Sequence, residues 1–245
     1  MIEFKTGVIH PVECFKEGWE LIKDQYWLLF GITLVGALIG GFSMYILLGA
    51  MMCGIYYCYL QKIDGKTVSI DGLWVGFQKW LPSLVLTIII VVPMLVVFAI
   101  LYVPFIMAVI MGSKLSPEEL TGLFIGAAAI DVVIVVLMTC FHTLLIFSFP
   151  LIIDRDLGAW QSITTSAKAV WKNLGGIAGM IGVAFVGAFA VTIFTCGLGA
   201  YFMMPIMLAG YAVAYRKIFP ATGNQNFNPP PPSAFQDAGS YNQRI

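Results

Sequence analysis

Long stretches of this chain carry no charged residue at all: 25–61, 80–113, 120–129, 132–153 and 173–215. A helix needs about 20 apolar residues to cross a hydrocarbon core roughly 30 Å thick, so most of these stretches are long enough to span and the longest are expected to fold back as hairpins. No water is available in such a core to satisfy backbone amides, which leaves helices or closed barrels. The stretches lack the alternation of a barrel strand. The chain is 60% hydrophobic and 11% charged, whereas a soluble domain carries about a quarter charged residues. The fold class that follows is all-α, a polytopic helical bundle in a membrane.

The stretch 25–61 would make a helix longer than about 50 Å if unbroken. The turn is expected at "IGGFS", 39–43, and in the last stretch at "CGLGA", 196–200. Six spans result, near 26–42, 44–60, 81–111, 121–153, 174–196 and 200–219. Lys and Arg distribution tests this count independently of hydropathy, because cytoplasmic loops collect basic residues. Six spans place Lys5, Lys16, Lys23, Lys62, Lys66, Lys79, Arg155, Lys168, Lys172, Arg216, Lys217 and Arg244 on one side and Lys114 alone on the other. Both termini are therefore expected in the cytoplasm. The first apolar run starts at Tyr26, behind a leader with five carboxylates, so it reads as a retained span and not as a cleavable signal. Cys14, Cys53, Cys58, Cys140 and Cys196 show no CxxC spacing and read as small core residues.

Each odd-numbered span is preceded by a polar segment whose apolar residues recur at helical period, near 11–25, 69–80 and 157–172. The first holds Val12, Phe15, Trp19, Ile22 and Tyr26. Ile70, Trp74, Phe77 and Leu81 answer the last four of these at a shift of 55. Trp160, Ile163, Ala167, Val170 and Leu174 answer all five at a shift of 148. Gly54 and Tyr59 are echoed by Gly210 and Tyr215. The unit that emerges is an amphipathic helix, suited to the headgroup boundary, followed by a membrane hairpin, in three copies over 1–219. Pro11 and Asp156 stand where two of these helices are expected to start.

Helix contacts in lipid rely on small residues. Candidate packing pairs at GxxxG spacing are Gly36 and Gly40, Gly122 and Gly126, and Gly175 and Gly179. The run "AGMIGVAFVGAFA", 178–190, suggests that the fifth span lies inside the bundle. In the third span Pro82, Pro93 and Pro104 recur every eleven residues, so kinks are expected at Pro93 and Pro104. Such bends either line a cavity or serve curvature.

Asp131 and His142 interrupt a run that is otherwise apolar, with Thr139 one turn from His142. Eleven residues separate them, which puts them on one helix face about 16 Å apart. An ionisable residue at the centre of a span costs roughly 2.5 to 3.5 kcal/mol and is expected to face protein or water. A polar pathway or proton relay is one reading of the three residues. The other is structural: Asp131, about ten residues from the outer end of its span, reaches the interface, protonated or bonded to a neighbouring helix, and His142 is a hydrogen-bonded packing residue. Residues 220–245 are polar and proline-rich, and are expected to form a disordered cytoplasmic tail. Pro229, Pro230, Pro231 and Pro232 there would form a short polyproline helix able to dock a partner.

Thirteen basic residues balance thirteen acidic ones, so no nucleic-acid partner is indicated. No phosphate loop, HExxH or GxSxG pattern occurs, and His10 and His142 are the only histidines. An enzyme, a metal and a cofactor are accordingly not expected. The segments "GWELIKDQYWLLFGITLV", "GAMMCGIYYCYLQKIDGK", "VGFQKW", "DLGAWQSITTSAKAVWKN" and "AYRKIF" resemble a group of bacterial six-helix membrane proteins of unknown function. They are similar to the membrane region attached to some glycerophosphoryl diester phosphodiesterases. The resemblance spans 12–219, implies a bacterial inner-membrane protein and brings no catalytic residues with it.

Two functions are consistent with these features. One is a scaffold or accessory subunit that organises membrane lipids or protein partners, including further copies of itself, through glycine faces, amphipathic helices or the tail. The other is a transporter or channel for a small or lipid-like solute. The topology is checked by reporter fusions: one placed after Lys114 is expected to report the non-cytoplasmic side and one after Lys66 the cytoplasm. A cytoplasmic signal at Lys114 would refute the six-span arrangement.

Overall fold

A computed structural model describes residues 3–110, 116–195 and 197–221, and among them every regular element is a helix. Lys114, Cys196 and the tail with Pro229 to Pro232 lie outside the described residues. The α-helices are α1 Pro11–Ile22, α2 Tyr26–Phe42, α3 Leu48–Ile63, α4 Trp80–Ile110, α5 Pro117–Leu144, α6 Ser148–Arg155, α7 Ala159–Lys172, α8 Leu174–Phe194 and α9 Gly199–Ile218. Four helical runs are long and apolar enough to cross a membrane: Pro11–Phe42, Ile70–Ile110, Glu118–Arg155 and Leu174–Phe194.

The first turn falls later than "IGGFS". Gly40 and Gly41 stay in α2, and the chain reverses through Met44 and Tyr45, both in the left-handed region at φ 51° and 66°. Ser43 holds this turn, donating from Oγ to the Gly40 carbonyl at 2.9 Å and accepting from the Leu47 amide at 3.0 Å. A side chain that satisfies both ends of the reversal lets non-glycine residues occupy it.

The second leader, Ile70–Lys79, is a 3-10 helix, tighter than the α-helix its apolar spacing suggests. Side chains three apart eclipse one another at that pitch. Trp74, Phe77 and Trp80 consequently form a continuous stack, with ring centroids 5.9 and 6.2 Å apart, while Leu73 and Gly76 share the buried side. Two glycines bring this segment onto α3 backbone to backbone. A Cβ on Gly54 would lie 1.9 Å from the Leu73 carbonyl oxygen, and one on Gly76 equally close to the Ala50 carbonyl oxygen.

α4 is one helix from 80 to 110 that includes Pro82, Pro93 and Pro104; an interruption falls between α5 and α6 at 145–147. The reason is Pro150, which has no amide to give the Ile146 carbonyl and whose ring crowds that carbonyl. It sits in the first turn of α6, where a missing N–H is harmless. Ser166 of α7 plugs the gap: its hydroxyl donates to the Leu144 carbonyl at 2.7 Å and accepts from the Phe147 amide at 3.2 Å. Asp156 does not start α7. It ends α6 in the left-handed conformation at φ 55° and pairs with Lys79, while Gly158 is the residue before α7.

The helices around this frame pack in a recurring way. α3 lies against the 3-10 helix of the second leader, α6 against α7, and α9 against α1. At the last crossing Gly18 approaches α9 so closely that a Cβ there would lie 2.8 Å from the Gly210 amide nitrogen. The strand of chain before α1 completes the enclosure. The Lys5 amide donates to the Ile218 carbonyl at 2.9 Å, and Asn173, between α7 and α8, accepts from the Gly7 amide at 2.8 Å and donates to the Lys5 carbonyl at 3.1 Å.

Burial is concentrated around these crossings. α4 buries Ser83, Leu86 and Thr87, α8 buries Ile177 and Met180, and no described residue of α5 is buried before Leu145. The fifth span, α8, is therefore peripheral and not interior; its Gly182 meets nothing within 4 Å. α3 and α9 occupy the centre instead. The candidate glycine pairs divide accordingly. Gly36 and Gly40 pack against Ile55 and Leu48, and Gly179 against Pro11, whereas Gly122, Gly126 and Gly175 meet no atom within 4 Å.

The backbone contact at Gly76 leaves no room for a branched side chain. Gly76→Val is expected to lower thermal stability in detergent by more than the roughly 1–3 kcal/mol of ordinary overpacking, because carbonyl groups and not side chains must move. Gly41→Ala, which meets nothing within 4 Å, is expected to leave the melting temperature unchanged or slightly raised. Equal melting temperatures for both variants would contradict the close approach.

Candidate functional site

The polar residues singled out in the sequence separate into two places on α5. Asp131 faces a cleft of about 610 Å³ between α4 and α5, whose walls include Leu101, Tyr102, Phe105, Gly122, Gly126 and Ile130. The open glycines belong here: Gly122 and Gly126 hollow out the cleft instead of packing a helix. Tyr102 shares this lining with Asp131, and its ring stacks on Phe98 with centroids 4.9 Å apart. Phe105 meets Phe124 edge-on across the two helices at 5.4 Å.

His142 lies toward the other end of α5, in a groove of about 410 Å³ that it shares with Met138, Thr139, Thr143, Ile146 and Ile181 of α8. Thr139 and His142 thus come together, and Asp131 does not join them. His142 Nδ1 is 2.8 Å from the Met138 carbonyl of its own helix. That bond makes Nδ1 the protonated nitrogen of the neutral ring and leaves Nε2 an acceptor. Thr143 donates to the Thr139 carbonyl at 2.6 Å, so both side chains back-bond to α5 just before its break. Ser148, the first residue of α6, has a buried hydroxyl without a hydrogen-bond partner among the described residues.

A third cluster was not singled out in the sequence. Arg216, in the last turn of α9, reaches the ends of two other helices. Its Nε and Nη2 donate to the two oxygens of Asp64 at 2.9 and 2.7 Å. Nη1 and Nη2 donate to those of Asp154 at 2.7 and 2.8 Å. The Tyr215 hydroxyl and Arg155 Nε add bonds to Asp154 Oδ2 at 2.7 and 3.1 Å. Asp64 caps α3 and Asp154 belongs to α6, so one guanidinium ties together the terminal turns of α3, α6 and α9. The side chains of Arg216 and Asp154 are only 11% and 14% exposed. Two arginines and two aspartates balance in charge, every oxygen of the aspartates has a donor, and the planar fork of arginine suits both carboxylates. The signal for this cluster in the sequence was a charged residue at the end of each second helix. Of the three, Arg216 alone enters the sequence reading, as a marker of membrane side.

Among the described residues no group of three or more His, Cys, Asp or Glu side chains is placed to hold a metal ion. Compared with models of protein families, with curated proteins and with solved structures, the chain finds no match.

Removing one partner of a buried pair typically costs about 3–5 kcal/mol, because the other charge is left uncompensated. Arg216→Met is expected to destabilise the protein by that order, read as a lowered melting temperature in detergent. Arg216→Lys should recover only part of the loss, since an ammonium cannot form two forks. Full stability of the lysine variant would show that charge alone, without the fork geometry, is sufficient.

Proposed function

We propose that the chain is a non-enzymatic integral membrane protein of the bacterial inner membrane that serves as a scaffold or accessory subunit, engaging lipids or protein partners sideways within the bilayer. In this reading it crosses six times as three leader-plus-hairpin units, with both termini in the cytoplasm. α3 and α9 supply the second and sixth crossings beside the four longer runs. The three leaders lie along the cytoplasmic boundary. Each unit's second helix receives the next leader, and the third unit closes onto the first.

The observation that carries the proposal is the contrast between the two halves of the molecule. The half around Arg216 and the leaders is packed and hydrogen-bonded. The remainder of α4, α5 and α8 exposes large apolar side chains such as Phe98, Ile110, Val132, Phe185 and Phe194. Extended apolar surface of this kind marks contact with lipid or with another protein. All six tryptophans, Trp19, Trp27, Trp74, Trp80, Trp160 and Trp171, lie in the leaders or in the adjoining first helical turn. This placement suits a single aromatic belt at the cytoplasmic boundary.

Transport is the second reading, favoured by the break between α5 and α6 and by Asp131 in a cleft, both features of solute pathways. Purification from native membranes in mild detergent separates the two. A stoichiometric partner, or a defined homo-oligomer, is expected, and repeated recovery of a lone monomer would count against scaffolding. Reconstituted protein is expected to give no flux across a broad solute panel. A flux that Asp131→Asn diminishes would replace the scaffold reading with transport.

A further inference from the structure

The cleft between α4 and α5 has a chemistry of its own. Its volume of about 610 Å³ falls within the roughly 300–1,000 Å³ of small-molecule sites. Gly122, Gly126 and Ala127 leave its floor without bulk, so an alkyl chain fits along α5. At one end of the trough stands a carboxylate, Asp131, with Tyr102 of α4 in the same lining. A carboxylate has about four acceptor positions, and apart from Tyr102 the residues lining this cleft beside Asp131 are apolar.

We propose that this cleft binds a lipophilic amine, a single alkyl chain ending in a protonated amino group, with the ammonium on Asp131 and against the Tyr102 ring. An ammonium brings three donors and the charge that an apolar surrounding makes a carboxylate seek. An aromatic face adds cation–π attraction. Depth selects the amine over a phospholipid. Asp131 lies eleven residues beyond Leu120, the first apolar residue of α5, or about 16 Å along the axis. That is near the middle of a core roughly 30 Å thick. A phosphate drawn to that level leaves the headgroup layer and meets a carboxylate of its own sign. The inference rests on the reading of α4 and α5 as membrane-embedded, and gives the lipidic ligand of that reading a chemical class.

The test uses the full chain in nanodiscs of phosphatidylcholine, with radiolabelled dodecylamine as the probe and dodecanol as a neutral competitor of equal chain length. Saturable amine binding is expected, with the alcohol at least about tenfold weaker. Asp131→Asn is expected to weaken amine binding by about tenfold or more and Tyr102→Phe by less. Gly126→Leu occupies the trough without touching Asp131; since a Cβ there meets nothing within 4 Å, it is expected to abolish binding while the melting temperature holds. A dodecylamine bearing a diazirine should label residues on α4 or α5 within the cleft.

Equal affinity for amine and alcohol, unchanged binding in both Asp131→Asn and Gly126→Leu, or labelling elsewhere would overturn the proposal. So would a phospholipid or a second copy of the chain held stoichiometrically in the cleft and not displaced by the amine. The assay contains no other protein. A failed partner capture therefore leaves an amine result standing, and a failed amine result leaves a captured partner standing.

Discussion

One guanidinium holds the ends of three helices. α3, α6 and α9 each follow another helix in the chain, and apolar contact, which is not directional, does not by itself oblige their ends to converge. Arg216 supplies the obligation by placing a charge where it must find two carboxylates, Asp64 and Asp154, or remain uncompensated. Once those ends are tied, the leaders have a fixed surface to lie on. The approaches at Gly54 to Gly76 and at Gly18 to Gly210 then become possible at backbone distance.

The architecture divides according to which solvent can compete with it. Near the tied ends, backbone and side-chain polar groups meet one another through Ser166, Asn173 and Tyr215, and packing is dense because directional bonds dictate it. Farther along α4 and α5 there is little polar chemistry besides Asp131, Tyr102 and the capping box at Ser116 and Glu119. Dispersion against lipid is nearly as good there as dispersion against protein. Two long helices held at their base and loose above it leave space between them, and that space is where the one carboxylate of the run resides.

The all-helical fold and its four long apolar runs were legible in the sequence because their signal, the absence of charge over a membrane's width, is a property of every residue in them. The finer features were less so, each for a physical reason. Gly40 and Gly41 look like a turn, yet a Ser43 side chain that bridges the reversal shifts it to Met44 and Tyr45. Pro93 lies within the continuous α4, while Pro150 coincides with a break at which Ser166 bonds the Leu144 carbonyl and the Phe147 amide. GxxxG spacing at Gly122 and Gly126 matched that at Gly36 and Gly40, but spacing does not say whether a neighbour arrives to use the gap. For the candidate sites, Asp131, Thr139 and His142 stood out by being polar in an apolar run. Arg216, Asp64 and Asp154 did not, because charges at span ends are ordinary and only three dimensions reveal that these converge.

The crossing of α1 with α9 joins two helices far apart in the sequence. A ribosome delivers Gly18 long before Gly210, so the face of α1 that α9 covers waits for its mate. Contacts that remote in sequence form slowly and leave the waiting surface open to wrong associations. A product stalled before α9 would therefore leave that face of α1 uncovered, and its capture by α9 marks the point at which the two distant helices have both been made.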